Sequence, residues 1–296
     1  MAEKRLDVGL HELPMDDYVL AKGPKGQTLH NQSFLKLYQG TASKAKQSLI
    51  GPSEPTPAME VGSAFHCLGL EPDEYPLQYA VAPDLSRRNK AGKDAWAVFT
   101  AENSGKTIIR AQDDRMIRNM VEAVRNTTTG SALLGGPGVN EVTAVWVDHD
   151  SSLWCKARLD RYTVLAGESV IVDLKTCQSA DPDDFSRSIA KFSYHIQAAF
   201  YLDAVAYATG ETGVQRKFVF VAVEKTPPFD VAFYELDPWA IERGRAAYKI
   251  CLRKAKESEQ SGVWAGYDDA IKKIDLPPWA KDAAALIGDE RDDLFW

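Results

Sequence analysis

The stretch Leu153 to Lys175, LWCKARLDRYTVLAGESVIVDLK, holds two strand-like runs separated by Ala166-Gly167-Glu168. In the second run, from Ser169 to Leu174, strand side chains alternate faces with period two, so Asp173 and Lys175 share one face. Val170, Val172 and Leu174 turn to the other face and into a core. A sheet buried on both sides ordinarily fills such positions with aliphatics. A carboxylate and an amine there cost stability, which points to chemistry.

Asp160 on the first run and Asp173 on the second offer hard oxygen ligands suited to Mg²⁺ or Mn²⁺, ions that keep several waters and share their remaining positions with a phosphate. Such a metal supplies a hydroxide and stabilises the charged transition state. A lysine two positions after the second acid orients water and adds positive charge where a phosphorane gathers negative charge. A lone D-x-K is more commonly an ordinary ion pair on a surface hairpin. Its sequence company is therefore what carries weight.

Gly62-Ser-Ala-Phe-His66 lies upstream, Arg158-Leu-Asp160-Arg161 adjoins, and Gln197-Ala-Ala-Phe-Tyr201 lies downstream. The ordered set G-x-x-x-H, L-D-R, D-x-K and Q-x-x-x-Y resembles the RecB-like branch of the PD-(D/E)xK nucleases. The wording is most similar to that of the RecE-type exonucleases, the exodeoxyribonuclease VIII family. The resemblance spans most of the chain from about Pro55, including Pro55 to Met59, Gly62 to Pro72, Arg87 to Lys93, Asp173 to Thr176, Tyr194 to Tyr201 and Leu276 to Lys281. It implies an α/β nuclease core, a central mixed sheet flanked by helices, over residues 55–296. Residues 1–54 would then be an N-terminal arm or extension.

The same resemblance implies that His66, Asp160, Asp173 and the Leu174 carbonyl bind metal and that Lys175 is the catalytic lysine. Gln197 and Tyr201 would lie near the scissile phosphate. Arg87, Arg88, Lys90, Lys93 and Arg161 become candidate DNA contacts. The implied activity is Mg²⁺-dependent degradation of double-stranded DNA ends from the 5′ strand, with Mn²⁺ able to substitute, leaving 3′ overhangs for recombination. A homo-oligomeric ring and a single-strand annealing protein are the implied assembly and partner. A structure-specific or sequence-specific endonuclease on the same fold, a non-catalytic DNA-binding module and a different metalloenzyme remain alternatives.

Some of this geometry follows from the residues themselves. Tyr194 to Ala208 has small and apolar residues at helical spacing and ends before Gly210, so Gln197 and Tyr201 fall one turn apart on one face. A lone histidine between Phe65 and Cys67 is ordinarily a core residue. Here Gly62, Ser63 and Ala64 would let its helix approach the strands closely. His11, His30, His149 and His195 have no comparable setting.

The 296-residue chain, 45% hydrophobic, is long enough for one large domain. No apolar run reaches bilayer length and Met1 to Asp7 mixes charge signs, so a cytoplasmic location without membrane contact is expected. Cys67, Cys155, Cys177 and Cys251 lack C-x-x-C spacing, which argues against zinc, disulfides and an iron-sulfur cluster. A net charge of −7 runs against nucleic-acid binding unless a positive surface is local. Arg87, Arg88, Lys90 and Lys93 form the best such surface, whereas Arg253, Lys254 and Lys256 read as an exposed helix face.

Helical patterns are expected over Ser33–Tyr38, Met59–Leu70, Ala91–Glu102 and Gln112–Arg125, with a linker at Gly51–Pro57 and a loop at Thr127–Gly138. Strands are expected over Glu141–His149, Leu153–Leu165 and Ser169–Leu174. Helices between Pro182 and Ala208, strands over Gln215–Val223 and Phe229–Leu236, and a long helix from Pro238 to about Glu259 complete the order.

Overall fold

A computed structural model describes residues 4–48 and 56–277. The chain begins with β1 (Gly9–Glu12), α1 (Met15–Leu20), α2 (Gln32–Leu37), α3 (Ala42–Ser48), α4 (Pro57–Leu70) and α5 (Tyr75–Gln78). It continues through β2 (Tyr79–Ala82), α6 (Lys90–Glu102), β3 (Thr107–Arg110), α7 (Ala111–Asn126) and α8 (Thr128–Gly135). The meander β4 (Gly138–Val147), β5 (Trp154–Leu165) and β6 (Glu168–Cys177) follows. Then come α9 (Pro182–Phe192), α10 (Tyr194–Thr209), β7 (Arg216–Glu224), β8 (Val231–Glu235) and α11 (Pro238–Ser261).

One six-stranded sheet has the order β1-β4-β5-β6-β7-β8. Its pairs are antiparallel except β6 with β7, which run parallel because α9 and α10 carry the chain across between them. β2 and β3 form a separate parallel pair. The expected mixed sheet flanked by helices is therefore the architecture found.

Both faces of the sheet are covered. On one, Trp146, Leu159, Ile171 and Phe220 meet Phe200 of α10 and Tyr248 of α11. On the other, Val170, Val172, Leu174 and Val221 meet Phe65 of α4 and Ile117 and Met120 of α7. The alternation read from β6 is thus present, and Asp173 shares the α10 face with Ile171.

The residues before 49, expected as an N-terminal arm or extension, pack against the rest of the fold. β1 pairs with β4 as an edge strand of the same sheet, and Leu35 and Tyr38 enter the same core as α10 and α11. Leu6, Leu13, Ala21 and Leu29 make a smaller core around Val145. The boundary near residue 54, most of the Gly51–Pro57 linker and residues 278–281 lie outside the described residues.

Thr127–Gly138 is likewise not all loop. Thr127 caps α8, its hydroxyl accepting from Gly130 N at 3.0 Å, and Leu133 is fully buried. The glycines of that stretch hid a short helix whose stability comes from tertiary packing. No helix among the described residues is long and apolar enough to cross a membrane.

The α10–α11 contact fixes the helix that carries Gln197 toward β6. Gly244 of α11 lies so near the first turn of α10 that a Cβ there would be 2.1 Å from the His195 carbonyl oxygen. Arg245 donates to both oxygens of Asp203, at 2.8 Å from Nε and from Nη2, and Tyr248 donates to the same carboxylate. Gly244→Ala is expected to destabilise by about 1–3 kcal/mol through overpacking. The change should appear as a lower urea midpoint with an unchanged slope, and an unaltered midpoint would mean that α11 can shift freely.

Candidate active site

The site forms where two strands part. The β5–β6 ladder ends at the pair Arg161 and Val172, one step short of Asp160 and Asp173. Beyond that step β5 stays with β4 and β6 with β7. The regular alternation also breaks here. Leu159 and Tyr162, three positions apart, both face the α10 side, as do Val139 and Val142 on the paired strand. Glu141, opposite Asp160, takes a left-handed backbone with φ of 51°, a costly conformation for a non-glycine residue.

Side chains bridge the gap. Asp160 Oδ2 accepts the Leu174 backbone N–H at 2.8 Å. His66 Nε2 lies 2.8 Å from the Leu174 carbonyl, which can only accept, so this nitrogen is the donor. His66 Nδ1 lies 3.2 Å from Asp160 Oδ2. His66 does reach the strands from α4, but Gly62 and Ser63 are not what brings the helix close: a Cβ on Gly62 would meet nothing within 4 Å and Ser63 is exposed, whereas a Cβ on Gly69 would lie 3.4 Å from Leu174 Cδ1. On the far side of β6, Asp173 Oδ1 accepts from Gln197 Nε2 at 2.6 Å, while Lys175 Nζ contacts Oδ2. Lys175 also lies 4.9 Å from the centre of the Tyr194 ring.

These groups perturb one another strongly. Burial pushes Asp173 up, Lys175 opposes and the Asp160 charge adds to the rise, giving about 6. Burial also opposes ionisation of Asp160, but the His66 and Lys175 charges and the Leu174 N–H bring it below the usual carboxylate range. For His66, burial pulls downward and Asp160 more than offsets it, leaving the imidazole raised. Burial likewise pulls Lys175 down, yet Asp173 and Asp160 hold its ammonium above the ordinary value.

A cleft of about 900 Å³ opens on His66, Glu141, Asp160, Arg158 and Tyr201. Ligand atoms of His66, Glu141 and Asp160 all lie within 4.8 Å of one another. Two carboxylates and an imidazole suit a divalent cation, and the crowding of their charges fits a site completed by one. Glu141 is pushed up to about 7 by burial and by Asp160, with Arg158 opposing. Arg158 donates to Glu141 Oε2 at 2.6 Å and to the Leu13 carbonyl at 2.7 Å, joining the N-terminal segment to the site.

His66, Asp160, Asp173, Leu174, Lys175 and Gln197 are thus brought together, and Tyr201 lines the cleft one helical turn beyond Gln197. Burial raises the Tyr201 hydroxyl well above its ordinary value. Glu141 was not singled out from the sequence, where it merely opens a strand. Only the register opposite Asp160 marks it.

Arg161 is a correction. It is 4% exposed, donating through Nε to the Leu133 carbonyl at 2.7 Å and also to Asn140 and the Gly136 carbonyl, so it anchors α8 instead of facing DNA. Arg87, Arg88, Lys90 and Lys93 are exposed on the approach to α6 and its first turn, away from the cleft lining.

Residues 31–276 match the family model described as a PDDEXK-like domain of unknown function (DUF3799). The chain belongs to this family. The D-x-K of the PDDEXK-like name has a match here in Asp173-Leu174-Lys175. A crystal structure from Eubacterium rectale, named as a candidate exonuclease, superposes with a TM-score of 0.58 at 14% identity over 93% of this chain and 99% of that one. That likeness speaks to the fold. Crystal structures of SSO0001 (17% identity, 47% of this chain, 67% of that one, TM-score 0.26) and of VC1899 from Vibrio cholerae (15%, 79%, 57%, 0.21) superpose too loosely to carry an argument. No curated protein matches the chain.

The raised carboxyls give a pH test. With Glu141 near 7 and Asp173 near 6, these two carboxyls hold more protons in the metal-free folded state than in the unfolded chain from about pH 4 to 7, so their contribution to stability falls as pH rises through that window. Glu141→Gln removes one of these ionisations. In chelator, its melting temperature should rise relative to that of the parent between pH 5 and pH 8. Added divalent cation should stabilise the parent more than the variant. Parallel pH profiles would show that Glu141 carries no such burden.

Proposed function

We propose that this chain is a Mg²⁺-dependent deoxyribonuclease that degrades duplex DNA from its ends, with Mn²⁺ able to substitute. The observation that carries the reading is the meeting of Asp160, Asp173, Lys175, His66 and Glu141 where β5 and β6 part, beside an open cleft. A divalent cation held by His66, Glu141 and Asp160, with Asp173 adjacent, would polarise a phosphoryl oxygen and lower the pKa of a bound water.

The chain's own groups have separable tasks. Lys175, whose ammonium Asp173 and Asp160 favour, would serve as a donor and a positive charge for a phosphate oxygen. Gln197 orients Asp173 through its amide. His66 and Asp160 hold the Leu174 backbone in place. Arg87, Arg88, Lys90 and Lys93 are proposed to contact DNA outside the cleft.

The 5′-to-3′ direction, the 3′ overhang made for recombination, a homo-oligomeric ring and an annealing-protein partner belong to the same proposal and rest on the resemblance to RecE-type exonucleases. The similarly folded Eubacterium rectale protein bears a consistent name.

Matched linear and covalently closed circular duplexes, incubated with the protein and Mg²⁺, test this reading. Only the linear form should disappear, and chelator should stop the loss. Asp173→Ala should lower the rate by about 10²-fold or more, the scale set by removal of a single stabilising group. Cutting of the circle would establish an endonuclease, and inertness toward both would favour a binding module.

A further inference from the structure

Helix α6 lies between β2 and β3, in a segment that leaves the cleft wall at Gln78 and Tyr79. It carries Trp96, Val98 and Phe99, yet none of its residues is buried and Val98 is 57% exposed. A helix with apolar side chains ordinarily covers them against a core. α6 leaves Val98 exposed and Trp96 and Phe99 only partly covered.

The approach to the helix is nevertheless well defined. Asn89 caps it, accepting from Gly92 N at 2.8 Å. The Ser86 carbonyl oxygen comes so close to Gly92 that a Cβ there would lie 1.8 Å from it, so glycine is what lets the loop fold onto the first turn. This closure sets the Arg87 guanidinium over the Trp96 indole, 4.5 Å from its centre. Phe99 lies beside the same indole at 5.5 Å between ring centres. Arg88, Lys90 and Lys93 are exposed around them.

We infer that the α6 arm is a platform for an unpaired DNA strand leaving the cleft. The inference rests on the proposed nuclease reading and adds a strand-specific surface to it. Flat groups backed by cations fit single strands, whose bases stack on aromatic rings or guanidinium planes while lysine and arginine follow the phosphates. A duplex keeps its base faces covered. Within a chain of net charge −7, four exposed cations, Arg87, Arg88, Lys90 and Lys93, precede and open the helix that carries the partly exposed Trp96 and Phe99, and that charge fits a polyanion.

Fluorescence anisotropy with a labelled oligothymidylate and the full chain in chelator tests the platform without cleavage. The parent should bind, more weakly as salt rises. Trp96→Ala should weaken binding about tenfold or more, the scale of losing one stacking contact, with Trp96→Phe retaining most of it. Arg88→Glu should weaken binding and flatten the salt dependence. Blunt duplex of equal length should be indifferent to Trp96→Ala, and all variants should melt with the parent.

Undiminished oligothymidylate binding by Trp96→Ala overturns the inference. So does an equal loss on duplex, which would mark a plain backbone contact. Loss of self-association in sedimentation with unchanged oligonucleotide affinity would assign the arm to a second copy. Cleavage of linear duplex by the parent, measured separately, keeps the readings apart. Trp96-dependent binding without cleavage sinks only the nuclease reading, and cleavage without oligothymidylate binding sinks only this one.

Discussion

The separation of β5 from β6 one step before Asp160 and Asp173 is the constraint around which the molecule is arranged. Parting two strands inside a protein strips backbone groups of their ladder partners, and buried amides and carbonyls must find others. Leu174 finds them in the Asp160 carboxylate and the His66 ring. The side chains that line the cleft therefore also complete the sheet. Their positions are set by backbone geometry, which is stiffer than side-chain packing alone.

That arrangement divides the charges into two groups. His66, Glu141 and Asp160 face the cleft, whereas Asp173 is buried between Lys175 and Gln197. Burial first, and then the neighbouring Asp160 charge, push Glu141 and Asp173 upward, while His66, Lys175 and the Leu174 N–H hold Asp160 itself low. The buried ammonium of Lys175 and the guanidinium of Arg158 offset part of this. Arg158 also reaches the Leu13 carbonyl, so the β1–α1 segment forms one wall of the cleft and supports the acids within it.

An acidic centre in an acidic chain still has to meet a polyanion if DNA is its substrate. The cations of α6 are proposed to answer that need, on a helix none of whose residues is fully buried. Arg161 illustrates the opposite use of a cation. Its guanidinium is spent on carbonyls at the end of α8, next to Asp160 in sequence but turned into the protein.

Much of this was legible in the sequence, because strand alternation is a local rule. The apolar run before Lys175 was enough to place Asp173 and Lys175 on one face, and helical spacing placed Gln197 and Tyr201 one turn apart. The long helices and the meander announced themselves through periodicity. α8 and β1 did not, since short elements owe their stability to partners far away in sequence. Glu141 and Arg161 were decided only by tertiary structure. Glu141 joins the site because β4 and β5 pair in a register that sets it opposite Asp160, and Arg161 leaves it because alternation breaks at that point. Sequence carries the period of each strand, but the register between strands and the break in it arise only when the sheet is assembled.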